Sequence, residues 1–316
     1  MSNPTLIISK KELRDHLTSK KFIIMLALLI LFYLALNAFS TTVIAQYGFR
    51  IRLFRQLSSG LVSNISFMAP LLGIALAYDA LSGEREKGSL KLLLSRPIYR
   101  ENIINGKILG GFIAISIAMI ITTIIGTVSA IVIWGAAPVL EDLTRLILFA
   151  LLSILFTMCY YSLSLFFSSI SNKSSRSTIM GVSVWAFFTI VLPIIASLIA
   201  FLILGPPPTL PVGQPVSNAT TPGQIQISEE FMNYARKLNE ISSSINAWSI
   251  NSHFSTAASM LFYSVTTGLP GQSQQAREIS ILEALSRSAI NIFIMIAFTI
   301  FFIIISYISF TRREEK

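Results

Sequence analysis

Six long intervals of this chain contain no Asp, Glu, Lys, Arg or His: Phe22 to Ala45, Val62 to Tyr78, Ile108 to Trp134, Leu146 to Ile170, Ile179 to Leu204 and Ala289 to Phe310. Each is long enough for a helix crossing about 30 Å of hydrocarbon, which takes roughly 17 to 25 residues. Only 12% of the 316 residues are Asp, Glu, Lys or Arg, about half the share of a soluble domain, so a water-soluble enzyme is excluded. The alternating pattern of a membrane β-barrel is absent. The expected fold is an all-α membrane protein: six transmembrane helices, an N-terminal interfacial elbow helix and a small helical extracytoplasmic insertion. No cleavable signal peptide is expected, because the first apolar run follows a charged amphipathic stretch and runs on too far.

Six spans put both termini on one side, and the basic residues choose the side. Sixteen of the 24 Lys and Arg fall in the N-terminal segment, the second and fourth connections and the tail, and the other eight on the opposite face. Both termini are therefore expected in the cytoplasm of a cell-membrane, multi-pass protein. The net charge of +9 reflects this orientation; the basic residues flank apolar runs instead of forming a nucleic-acid patch. The expected division is a cytoplasmic interfacial helix (1–21), spans one to five (22–204) with a loop at 79–107, an extracytoplasmic subdomain (205–288), the last span (289–310) and a cytoplasmic tail (311–316).

In the first segment Leu6, Leu13 and Leu17 recur at helical spacing among Lys10, Lys11, Arg14 and Lys21, the pattern of a helix lying on a membrane surface; a plain cationic flank is the blander alternative. His16 reads as a solvated surface histidine. The outer insertion opens with a proline-rich stretch, then shows two helical patterns: Phe231, Tyr234, Leu238, Ile241 and Ile245, and roughly His253 to Thr266 with Phe254, Ala257, Ala258, Leu261 and Phe262. Such an amphipathic helix can lie on the outer membrane surface or cover a partner, and covering a dimer mate is the blander choice. Asn218 opens a glycosylation sequon that this topology places outside. Pro70 and Pro193 are expected to kink the second and fifth spans.

Catalytic and metal chemistry is not encoded in any recognisable pattern. Cys159 is the single cysteine, so there is no internal disulfide, and His253 lacks companions for a metal site. No acidic or basic residue lies within a span away from its ends, which argues against ion-coupled carriers. Gly83 to Gly88 has the spacing of a phosphate loop, but Ser89 stands where the phosphate-reaching Lys is required, so this chain is expected to bind no ATP. Asn37, Thr41, Tyr160, Tyr161 and Ser164 are the polar residues that line a substrate path if one exists; most hydroxyls in membrane helices instead bond backbone or join helices.

The loop after the second span carries the strongest signal. Glu84 and Glu86 come first, then Gly88, an apolar stripe of Leu90, Leu93 and Leu94, a stop at Pro97, and Arg100. The run EREKGSLKLLLSRPIYRENIINGK resembles the signature of type-2 ATP-binding-cassette permeases, and ISKKELRDHLTSKKF resembles that family's interfacial helix. Glu84, Glu86, Gly88, Leu93, Pro97, Arg100 and Lys107 match the family pattern, with Ser89 in place of the commoner Thr. The resemblance implies that Glu84, Glu86, Gly88, Leu90, Leu93, Leu94, Pro97 and Arg100 belong to a coupling element docking on a cytoplasmic ATPase. It implies two such ATPase subunits, holding the ATP and Mg, and a second permease copy or a paralogue in the bilayer. Export or extraction is the expected activity, with force transmission to a cell-envelope partner as the alternative and a channel or secondary carrier as a third reading. Glu84 and Glu86 are expected to make rim or ion-pair contacts with the ATPase, so that Glu84→Gln has a mild effect.

Overall fold

The computed structural model describes residues 3–47, 53–89, 99–135, 138–208, 229–262, 264–267 and 275–313, without the side chains of 37, 39–59, 134, 229, 264–267 and 275–278. Leu90, Leu93, Leu94, Pro97 and Asn218 lie outside the described residues, as do the side chains of Asn37 and Thr41. The helices are α1 (Pro4–Leu17), α2 (Lys20–Tyr47), α3 (Leu53–Ala77), α4 (Ser82–Glu86), α5 (Arg100–Trp134) and α6 (Leu140–Ile170). They continue with α7 (Ser174–Ala186), a π-helical segment Phe187–Val191, α8 (Leu192–Leu204), α9 (Glu229–Asn246), α10 (Ile250–Phe262) and α11 (Ile281–Arg312). Two short antiparallel strands, β1 (Ser264–Thr267) and β2 (Gln275–Glu278), pair Ser264 with Glu278 and Thr267 with Gln275.

Among the described residues five helical stretches are long and apolar enough to cross a membrane, or up to six when the bent pair α1 and Lys20–Leu36, meeting at 59°, is counted as one. This is an all-α, multi-pass membrane protein. Asn3 starts α1 by accepting from the Thr5 N–H at 3.1 Å, meeting one of the donors that a helix start leaves open. Some helices extend beyond the charge-free intervals with the help of a cap. Thus α11 begins at Ile281, where Ser280 accepts from the Glu283 N–H at 3.2 Å.

The chain divides into two compact units, Met1–Trp185 with His253–Lys316, and Ala186–Ser252. In the first, α6 is the central helix, packed against α3, α5 and α11. Its interior-facing positions include small hydroxyls that return their hydrogen to backbone: Ser153 to Phe149 O (2.7 Å), Thr157 to Ser153 O (2.7 Å) and Ser162 to Cys159 O (2.9 Å). Small side chains let backbones approach closely where lipid offers no competing hydrophobic drive. Pro70 lies inside an uninterrupted α3. The π segment immediately precedes Leu192 and Pro193, and a widened turn is one way for a helix to absorb the N–H that proline lacks.

In the second unit, α9 packs along α8. The Tyr234 hydroxyl donates to Gly205 O (2.7 Å) at one end, and Asn251 donates to the Thr189 hydroxyl (2.7 Å) at the other. The Phe231, Tyr234, Leu238, Ile241 and Ile245 stripe is half-buried, while Arg236, Lys237 and Glu240 are exposed. Helix α10 ends at Phe262, short of the expected Thr266; the β-branched Val265, Thr266 and Thr267 enter a strand instead. In the first unit Phe254, Ala257, Ala258, Leu261 and Phe262 are buried, with Phe254 stacked on Phe156 (ring centroids 4.2 Å apart) and Phe262 edge-on to Phe149 (5.4 Å). This corrects the expectation that a dimer mate covers the helix: the chain's own α6 does so.

Candidate functional site

One acidic residue of the loop and one of the first helix converge on Lys107, two turns into α5. Its ammonium donates to Glu12 of α1 at 2.9 Å and to Glu84 of α4 at 2.7 Å, with the lysine side chain 2% exposed. An isolated ammonium in such a place is prohibitively costly, and only close, hydrogen-bonded partners make it tolerable. The same residue's carbonyl accepts from the Tyr161 hydroxyl of α6 at 2.8 Å. Four elements, α1, α4, α5 and α6, therefore meet at one residue.

Close backbone approach makes this junction feasible. On α5, Gly106 and Gly110 flank Lys107 on the face that receives α1. A Cβ on Gly106 would lie 2.6 Å from the Ile8 side chain, and one on Gly110 2.8 Å from Glu12 Cβ. Two glycines four residues apart share one helical face, and here they form a groove in which α1 lies. Thr5 adds a hydrogen bond to Asn102 at 3.1 Å.

The loop is fixed from the other side as well. The Ser168 hydroxyl of α6 accepts from the Leu81 N–H (3.0 Å) and the Ser82 N–H (2.9 Å). Arg85 donates to the Ser171 carbonyl at 2.5 Å. Glu86 accepts the Ser174 N–H at 3.0 Å, at the start of α7, where a carboxylate is favoured by the helix dipole. Gly88 ends the short helix at φ +71°, a conformation that side chains rarely adopt. Arg100 donates to Arg313 O at 2.6 Å and to Phe310 O at 3.4 Å, satisfying carbonyls at the end of α11.

A polar cavity of about 310 Å³ opens beside the junction, lined by Glu12, Asp15 and His16 of α1, Lys21 of α2, Asp79, and Lys107 among others. Lys21 pairs with Asp79 across it. His16 is half-buried, which corrects its reading as a surface residue. Burial holds its imidazole below the ordinary value of 6.5, against the upward pull of Glu12.

Of the expected coupling residues, the structure brings Glu84 into the Lys107 junction and places Glu86 and Arg100 as caps on neighbouring helices. Glu84 is thus an internal ion-pair partner with one oxygen, Oε2, buried without a hydrogen-bond partner, so the mild effect expected of Glu84→Gln is corrected upward. Tyr161 and Ser164 are fully buried and donate to backbone, to Lys107 O and to Ile74 O (3.3 Å). Tyr160 packs edge-on against Phe156 at 5.6 Å. The sequence offers Gly106 and Lys107 only as a failed phosphate-loop match and Lys107 as a motif position, and it leaves Glu12 and Gly110 without a role; the GKILG spacing at the head of an apolar run was the available signal.

This loop-to-helix junction can be set beside known proteins. The sequence profile of the family described as "ABC-2 family transporter protein" matches residues 6–314, a range that includes most of α1, the loop and all the apolar helices. The chain belongs to the ABC-2 transporter family. Over 201 residues, 62% of this chain and 70% of the relative, it is 30% identical to the "Probable ABC transporter permease protein NosY" of Pseudomonas aeruginosa. It is 27% identical over 207 residues, again 62% and 70%, to the protein of the same name from Stutzerimonas stutzeri. As an ABC-2 protein it is a multi-pass membrane permease.

Proposed function

We propose that this permease is the membrane half of an ABC transporter in which two separate cytoplasmic ATPase subunits, carrying the ATP and Mg, drive export or extraction through residues 79–107. Both termini and α4 then face the cytoplasm of a cell membrane, and a second permease copy or a paralogue completes the membrane unit. The observation that supports this reading is the Lys107 junction. A push on the loop at Glu84 reaches α5 through a buried ion pair, and reaches α1 through the same ammonium. ATP binding favours the ATPase pair closed, and that differential affinity is the free energy that shifts the helices.

The test is the double variant Leu93→Asp with Leu94→Asp in the assembled complex. Two carboxylates facing an apolar cleft cost several kcal/mol of binding, so the ATPase is expected to be lost on purification while the permease still inserts. Full co-purification with unchanged ATP hydrolysis would overturn the proposal.

A further inference from the structure

A second cavity, of about 170 Å³, lies between α6, α10 and α11, at the end of the bundle away from Lys107. Leu152 and Leu155 of α6, Ala257 and Leu261 of α10, and Ile292 of α11 supply apolar wall; Ser288 of α11 supplies a hydroxyl. Elsewhere on α11, Thr299 and Thr311 return their hydroxyls to the carbonyls four residues back, each at 2.9 Å. Ser288, only 2% exposed, has no hydrogen-bond partner for its Oγ among the described residues. The Leu261 carbonyl at the rim is already taken by the Arg145 guanidinium.

A buried hydroxyl without a partner costs free energy comparable to a lost hydrogen bond. Water would serve it poorly, since a buried water wants about three polar neighbours and this pocket, open on the side of the exposed Leu151, offers one. We infer that the α6–α10–α11 cavity is a binding site for a benzene-sized hydrocarbon group bearing one hydroxyl or carbonyl oxygen, which meets Ser288 while the ring or short chain fills the leucine-lined space. The inference stands apart from the ATPase reading, because it rests on a pocket of the membrane subunit alone.

Photolabelling of the purified full-length permease in lipid nanodiscs tests it, with 4-azidophenol and, as the hydroxyl-free analogue, azidobenzene. Labelling by 4-azidophenol should saturate, map to peptides containing 148–155, 257–261 or 285–292, and be competed by unlabelled phenol. Ser288→Ala should weaken 4-azidophenol about three- to tenfold, the weight of one neutral hydrogen bond, and leave azidobenzene unchanged. Ser306→Ala, at an equally buried hydroxyl without a partner that does not line the cavity, should change neither. Ala257→Phe should abolish both by filling the space. Labelling that rises linearly with concentration, or that is indifferent to Ser288→Ala, would overturn the proposal, and that arm does not depend on how well Ala257→Phe folds.

Discussion

Two buried cations, each near the start of a long antiparallel helix, sit at opposite ends of the first unit and are held differently. Lys107 on α5 is a point charge between two carboxylates that lie 95 and 23 residues away in sequence. Arg145 on α6, fully buried, donates to the backbone oxygens of Leu261 (2.5 Å) and Ile279 (2.6 Å), and to Glu141 one turn back on its own helix. The lysine joins separate elements by charge. The arginine, with its planar fork of donors, closes the ends of the segment carrying β1 and β2 by reading carbonyls. The first arrangement depends on the ionisation and position of distant partners, so it can respond to a moving loop; the second depends on backbone geometry and behaves as a fixed clasp.

The largest effect separating them is expected at Lys107. Lys107→Met leaves two largely buried carboxylates unpaired, a loss of about 3–5 kcal/mol, read as a lowered thermal midpoint and protease access to α1. Adding Glu12→Gln and Glu84→Gln should restore most of that stability, whereas further loss would mean that the carboxylates matter for something other than the lysine. Arg145→Met comes next at about 2–3 kcal/mol, since two carbonyls lose their donors, and its signature is cleavage between 262 and 280 with α1 still protected. If α1 were released equally, the two sites would not be independent.

A smaller change follows Glu84→Gln, about 1.5 kcal/mol, because the acceptor survives but the charge does not; this exceeds the roughly 1 kcal/mol ceiling of an exposed pair. The smallest effect is pH dependence through His16. Its folded value lies below the ordinary 6.5 because burial disfavours the cation, so the unfolded chain takes up the proton first. The seat of α1 is then fully stable above about pH 6.5 and weakens as pH falls through that value toward the folded one. Hydrogen exchange of α1 against pH should show this slope, and His16→Gln should flatten it. Arg145 contacts should show no such dependence.

How much of this could be read beforehand differs between the two sites. The apolar intervals and the loop motif were visible because they are local: a run without charge, a glycine after two glutamates. The role of Lys107 was hidden because Glu12 lies across three helices in the chain, and charge counting treats a buried lysine and a solvated one alike. Arg145 was counted as an ordinary outer-face charge, since its partners are backbone oxygens that no side-chain pattern announces. The premature end of α10 did have a local sign in Val265, Thr266 and Thr267, outweighed in the reading by the helical spacing before it.

The groove formed by Gly106 and Gly110 also sets an order of assembly. The ribosome delivers α1 first, yet the surface that receives it is made only after α2, α3 and α4 have been synthesised, seconds later at about 5–20 residues per second. Until then the α5 face against which α1 packs does not exist, and Lys107 joins the bundle after Glu12 has been made. Seating of α1 against α5 is therefore a late event in biogenesis, and a nascent chain released before α5 emerges has no means of completing it.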